Sequence, residues 1–175
     1  MLGLSARGLT LSPLPWGVAL LDNADTHAVF LQMTYRFFHG AQDPLSNMFL
    51  CPLFIHGKWY KSSEHFYQSA KARFCGQPQE VIESIENAKT GYVAKKRVKE
   101  LRLKSDNWYP KPAQATMRDI LEVKFRLGTP LGEYLMSTHP QVLAEENPDC
   151  QWGIGLVEDD PSREDPQAWK GENWM

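Results

Sequence analysis

Cysteine is scarce. Cys51, Cys75 and Cys150 are the three in 175 residues. They lie far apart, with no Cys-x-x-Cys pair and no matching pair of histidines, which argues against a zinc cluster or a disulfide scaffold and points to a reducing compartment. Long apolar runs are missing too. No stretch approaches the roughly 18 residues needed to cross a bilayer, and the leucine-rich start is broken by Pro13 and Pro15. Arg7 is the only Lys or Arg in residues 1–33, and Asp22 and Asp25 follow it, so the start reads poorly as a secretory signal. A cytoplasmic protein with no membrane partner is expected. Nor is there an excess of positive charge: 19 Lys+Arg against 21 Asp+Glu leave a formal net charge of −2. Without a global positive field, any site for an anion must be built locally. Internal repeats, a P-loop and a dinucleotide fingerprint are all absent, and neither a metal nor a cofactor is expected.

What is present describes a folding chain. Hydrophobic residues at 42% and aromatics at 11% supply enough apolar surface to offset the ordering entropy of one domain. Residues 1–33 carry no sustained periodicity and read as an irregular N-terminal extension; from 34 to 175 the pattern is that of a domain. Two short apolar runs flank His56-Gly57-Lys58 and predict a small β-hairpin between Phe49 and Tyr60. Helical signals dominate the remainder. The first predicted helix starts at Ser62 or Ser63 and stops near Phe74, before Gly76-Gln77-Pro78. Others are predicted over 79–87, 90–101, 113–127 and 131–137, and a short one between Pro140 and Asn147. The fold class expected is mainly α, a compact single-domain helical fold with a small β-hairpin.

Several residues stand out against this pattern. At 100° per residue Glu64, Gln68 and Lys71 share about 60° of arc on the first helix. Glu64 there either stabilises the first turn against the helix dipole or, among Trp59, Tyr60, His65 and Phe66, is a desolvated carboxylate. Lys124 falls inside the apolar stripe made by Met117, Ile120 and Leu121. It either snorkels along its methylene stem or is an ammonium held beside a phosphate or carboxylate. Trp108, Trp152 and Trp169 lie in polar, loop-like contexts and either stack on a planar ring or close the core. Asp149, before Trp152-Gly153-Ile154-Gly155, either contacts ligand hydroxyls or forms an Asx-turn. Six Lys or Arg between Lys95 and Lys104 read by default as a solvated helix face.

In order along the chain stand Pro44-Leu-Ser-Asn-Met-Phe49, Gly57-x-x-Tyr60, Ser63-Glu-His-Phe-Tyr-Gln68 with Lys71, Trp108, Met117, Lys124-Phe125 and Asp149-x-x-Trp-Gly-x-Gly155. This series resembles the NADAR, or YbiA-like, family across roughly residues 35 to 173. The resemblance implies an enzyme that hydrolyses N-glycosidic bonds. Characterised members of that family remove ADP-ribose from guanine bases, including guanines in DNA, or cleave phosphoribosyl-amine intermediates of riboflavin biosynthesis. It implies a small-molecule or nucleic-acid-linked ADP-ribosyl or phosphoribosyl substrate, with a non-catalytic nucleotide-binding module as the competing reading. It places catalytic positions at Glu64, Lys71 and Lys124. Substrate-binding positions fall at Ser46, Asn47, His65, Gln68, Trp108, Asp149, Trp152, Gly153 and Gly155. Some members are described as using a lysine Schiff base with ring-opened ribose. Two departures from the family pattern are Tyr109-Pro-Lys-Pro112, which sets Trp108 one residue further from Met117, and the end at Trp174-Met175, where a final helix is expected.

Overall fold

The computed structural model describes residues 34–104 and 106–175; the extension expected for 1–33 lies outside the described residues. The order of elements is β1 (Tyr35–Phe38), β2 (Leu53–Ile55), β3 (Lys58–Tyr60), α1 (Ser63–Phe74), α2 (Gln79–Glu86), α3 (Gly91–Glu100), α4 (Lys111–Lys124), α5 (Pro130–Ser137) and β4 (Val142–Glu145), followed by two short 3-10 turns. The fold is mainly α with a small β-hairpin, the class implied by the sequence. The hairpin pairs Leu53 with Tyr60 and Ile55 with Lys58. His56 and Gly57 both take positive φ, as a tight two-residue hairpin turn requires. Helix starts follow local chemistry. Thr90 and Thr129 accept hydrogen bonds from the N–H groups of Val93 and Gly132, and Pro112 and Pro130 occupy first-turn positions where a missing N–H costs nothing.

Two expectations are corrected. The stretch after Pro140 is not helical: Val142–Glu145 forms β4, paired in parallel with β1 from Tyr35↔Val142 to Phe38↔Glu145. Leu143, Ala144, Glu145 and Glu146 are good helix formers, but hydrogen bonds to a strand more than a hundred residues earlier override that local preference. The fourth helix spans Lys111–Lys124, starting earlier and ending earlier than its apolar period suggests.

Helix α1 is the centre of the fold. Phe66 and Tyr67 join the hairpin and α4 in the largest core cluster, with Trp108, Met117 and Ile120. Ala72 joins Ile82, Ile85, Ala94 and Val98 of α2 and α3 in a second cluster. A third, with Ala144, Ile154 and Leu156, lies against Phe37 of β1 and Trp169. Buried Glu86 at the end of α2 ties these layers together through ion pairs to Lys58 of the hairpin and Arg73 of α1.

Around β4 the chain folds closely on itself. The N–H of Ile154 donates to the carbonyl of Glu145 at 2.9 Å, that of Gly155 to Asn147 at 3.0 Å, and that of Asn173 to Gly153 at 3.1 Å. A Cβ on Gly171 would sit 2.1 Å from the carbonyl oxygen of Gly153 and 2.8 Å from the nitrogen of Gly155, both rigid backbone. Gly171→Ala is therefore expected to destabilise the protein by about 2–4 kcal/mol in urea unfolding. Gly76→Ala has open space but a positive φ of 67°, and its expected cost is about 1 kcal/mol.

Candidate active site

One cavity of about 650 Å3 opens between α1, α3, the loop after β1 and the end of β4. Its construction starts at the Pro44–Phe49 loop. Asp43 holds the loop's first turn by accepting from the N–H of Leu45 at 2.9 Å while pairing with Arg36 at 2.7 Å. The carbonyl of Asn47 then accepts the N–H of Glu64 at 3.1 Å, which seats the loop on the first turn of α1. Ser46, Asn47 and Met48 thereby line the cavity beside Glu64, Gln68 and Lys71, so the stripe read from the helical period forms one wall.

Glu64 is buried at 5% exposure, and burial pushes its carboxyl above the ordinary range. Lys95 and the Gln68 side chain, whose Nε2 donates to Oε1 at 2.7 Å, act the other way. The space for it is set by Gly91, where a Cβ would come within 3.0 Å of both the Glu64 Cβ and the Met48 Sδ.

Helix α3 supplies Lys95 and Lys99, and Arg102 just beyond it extends the row. With Lys71 of α1 these give four cations along the cavity; Lys95, Lys99 and Arg102 are exposed, as the reading of a solvated face expects, and border the cavity as well. The spacing 95, 99, 102 is itself a helical stripe, and that is the signal from which this wall was legible. Tyr67, Tyr109 and Trp152 add aromatic surface. The Tyr67 hydroxyl accepts from the Trp108 indole at 3.0 Å and donates to the Tyr109 hydroxyl at 3.3 Å; burial, then Tyr109, push its ionisation far up, and the Trp108 indole opposes them. The Lys71 ammonium stands 5.3 Å from the Tyr109 ring centroid.

Of a third wall, sequence reasoning found Asp149 and missed Glu145 and Glu146. Glu145, Glu146 and Asp149 line the cavity from the end of β4 and the loop after it. Parallel pairing explains this, because it brings the C-terminal ends of β1 and β4 to one edge; His39 and Gly40 arrive with Glu145 and Glu146. Burial raises the Glu145 carboxyl to about 7. A hydrogen bond from Asn147 opposes the rise, and the Glu64 charge adds to it. Three buried polar atoms of cavity residues, Asn47 Oδ1, Glu145 Oε2 and Trp152 Nε1, have no hydrogen-bond partner in the protein. Such atoms are costly unless a ligand or solvent meets them.

The other expected positions lie elsewhere. Lys124 is 2% exposed and neither snorkels nor lines the cavity. Its Nζ donates to the carbonyls of Ser46 at 2.7 Å and Leu45 at 3.2 Å, holding the loop from beneath. A phosphate contact by Lys124 is therefore corrected to a clamp on the loop. His65 is in the core, with Nδ1 at 2.8 Å from Ser62 Oγ and Nε2 at 3.1 Å from the Ala88 carbonyl. Burial lowers its affinity for a proton. Trp108 is likewise core and stacks on no cavity surface. The glycine turn does approach something closely, but what it approaches is the chain itself. The N–H groups of Gly153 and Gly155 are already donated to the carbonyls of Asp149 and Asn147, so they are not free for ribose or phosphate. Asp149 forms the Asx-turn, its Oδ1 accepting from the N–H groups of Gln151 and Trp152, and the residue also lines the cavity. Trp152 lines it too, while Trp169 packs on the third cluster.

The NADAR domain matches residues 21–175, and the chain belongs to the NADAR family, which is N-glycosidase-like. The match begins within the stretch read as an extension. The NMR structure of the Escherichia coli protein YbiA superposes with a TM-score of 0.61 at 26% identity, covering 82% of this chain and 79% of that one. A riboflavin biosynthesis protein of Vibrio vulnificus (strain YJ016) is 29% identical over 112 residues, 63% of this chain. The chain spans only 29% of that relative's length. Among the described residues no helix is long and apolar enough to cross a membrane.

The Lys124 clamp carries a pH signature. Burial lowers this amine from 10.5 to about 8. Above about 8 the folded protein has released a proton that the unfolded chain still binds, so stability rises with pH between about 8 and 10.5. Relative to Lys124→Met, which has no such proton, the wild-type protein is expected to gain about 3 kcal/mol across that window. Denaturant titrations of both proteins at several pH values measure it.

Proposed function

We propose that this chain hydrolyses a ribosyl C1–N bond and that its substrate is an ADP-ribosylated guanine, free or carried on a nucleic acid. The observation that carries the reading is a buried carboxylate, Glu64, in a cavity that also holds a row of cations and aromatic faces. Cleavage of such a bond places positive charge on the sugar at C1. A desolvated carboxylate there opposes that charge far more strongly than it does in water and can take a proton from the attacking water. Gln68, bonded to one oxygen, leaves the other for this task.

The cation row supports a diphosphate. Lys95 and Lys99 are one helical turn apart, about 6 Å along the axis, and Arg102 and Lys71 add to them. That length exceeds one phosphate group and suits a pyrophosphate joined to ribose. Tyr67, Tyr109 and Trp152 offer faces on which a base can stack, and the unpartnered Asn47 Oδ1 is an acceptor suited to a ribose hydroxyl. A second reading, cleavage of a phosphoribosyl-amine intermediate, is favoured by the name of the Vibrio relative, a riboflavin biosynthesis protein. An imine between Lys71, on the same stripe as Glu64, and ring-opened ribose is the alternative to direct attack by water, and borohydride would trap its adduct during turnover.

A panel of N-ribosides followed by mass spectrometry is expected to show release of ADP-ribose from ADP-ribosyl-guanosine. Folded Glu64→Gln should lose at least about 100-fold in kcat; a folded variant at the wild-type rate removes Glu64 from the chemistry. Tight binding of ADP-ribose with no product from any substrate would mark a binding module instead. Replacing both Lys95 and Lys99 by Ala is expected to raise KM for the diphosphate substrate by about tenfold while leaving kcat within a few-fold. Faster cleavage of a monophosphate substrate than of the diphosphate would favour the riboflavin-type reading.

A further inference from the structure

We propose that Glu145 is a second catalytic carboxyl, which as the neutral acid protonates the departing nitrogen while Glu64 as the carboxylate directs water to C1. The inference rests on the N-glycosidase reading and deepens it. Glu145 is buried at 8% exposure at the end of β4, yet its side chain borders the cavity and its Oε2 has no partner in the protein. A buried carboxylate oxygen with nothing to accept from is poorly placed to stay charged; as an O–H it becomes a donor that needs an acceptor, and a leaving nitrogen is one.

Two carboxyls in one desolvated space do not ionise together, so one of the pair keeps its proton to a higher pH than the other. Their surroundings decide where it sits. Glu64 accepts the Gln68 amide at 2.7 Å, which favours its anion. Glu145 feels Glu64 and Asp149 as like charges, with Lys95 from α3 opposing them and Asn147 donating to it. Lys124 of α4 also lies within its field. The balance leaves the proton on Glu145, whose carboxyl titrates at about 7.

The step then balances. The C1–N bond breaks with its electron pair on nitrogen, and that nitrogen takes the Glu145 proton. Water adds its oxygen to C1 and gives a proton to Glu64, and exchange with solvent returns the pair to its starting state. The acid is competent only while protonated, so kcat/KM falls as pH rises through about 7.

The test compares Glu145→Gln with wild-type protein on two leaving groups: a guanine, which departs well only if protonated, and an N-ribosylpyridinium, which departs as a neutral base and needs no proton. Glu145→Gln is expected to lose about 100-fold or more in kcat on the guanine substrate, to lose the alkaline limb of the pH profile, and to keep pyridinium cleavage within about fivefold. Its affinity for ADP-ribose by calorimetry should be unchanged, which separates lost chemistry from lost folding. Glu64→Gln should lose both substrates. Guanine release by Glu145→Gln within threefold of wild type, an alkaline limb that persists, or equal loss on both leaving groups would overturn the role of Glu145 alone. Failure of the wild-type protein to cleave any N-riboside overturns the underlying reading instead.

Discussion

The fold depends on burying a polar helix. In the first two turns of α1, Ser63, Glu64, His65, Gln68 and Ser69 are all buried alongside Phe66 and Tyr67, so these turns have no solvent face. Polar groups removed from water are tolerated only when they are bonded. His65 is held between Ser62 and Ala88, Ser69 donates to the Phe66 carbonyl, and Gln68 donates to Glu64. The arrangement fixes α1 between the hairpin and α4 on one side and α2 and α3 on the other. It leaves one carboxylate oxygen of Glu64 free of the Gln68 amide at the cavity wall, with the Lys95 charge acting on the group. The chemistry and the packing are thus parts of one constraint.

That constraint produces a cavity with separated charge. Cations come from α3 and the middle of α1, and acids come from the start of α1 and the end of β4. A substrate with an anionic tail and a reacting centre that turns cationic has one favourable orientation in such a field. The helices alone would give the cationic part. The parallel pairing of β1 and β4 adds the acidic part by ending two distant segments at the same edge.

Much of this was legible in the sequence wherever the controlling interactions are local. The hairpin turn at His56-Gly57, the start of α1 at Ser62-Ser63, and the single stripe of Glu64, Gln68 and Lys71 follow from neighbours a few residues away. The place of Lys124 in an apolar stripe also showed that it points inward. What it meets there was not legible, because its acceptors are carbonyls of a loop 78 and 79 residues away. Glu145 stayed hidden for the same reason: Leu-Ala-Glu-Glu reads as helix until a distant strand pairs with it. His65, Trp108 and the two glycines sit within the family motif, yet their partners are internal. A motif marks what sits near a site and does not separate the groups that face substrate from those that support them.

The hold of Lys124 on Leu45 and Ser46 bears on how the protein assembles. The wall formed by Ser46 and Asn47 has its support in α4, so the recess takes shape only after segments from both halves of the chain have met. A partly folded intermediate with α1, α2 and α3 in place but α4 undocked would have helices and no catalytic recess. The recess is therefore gained, and lost, with the docking of α4 and not with the helices themselves.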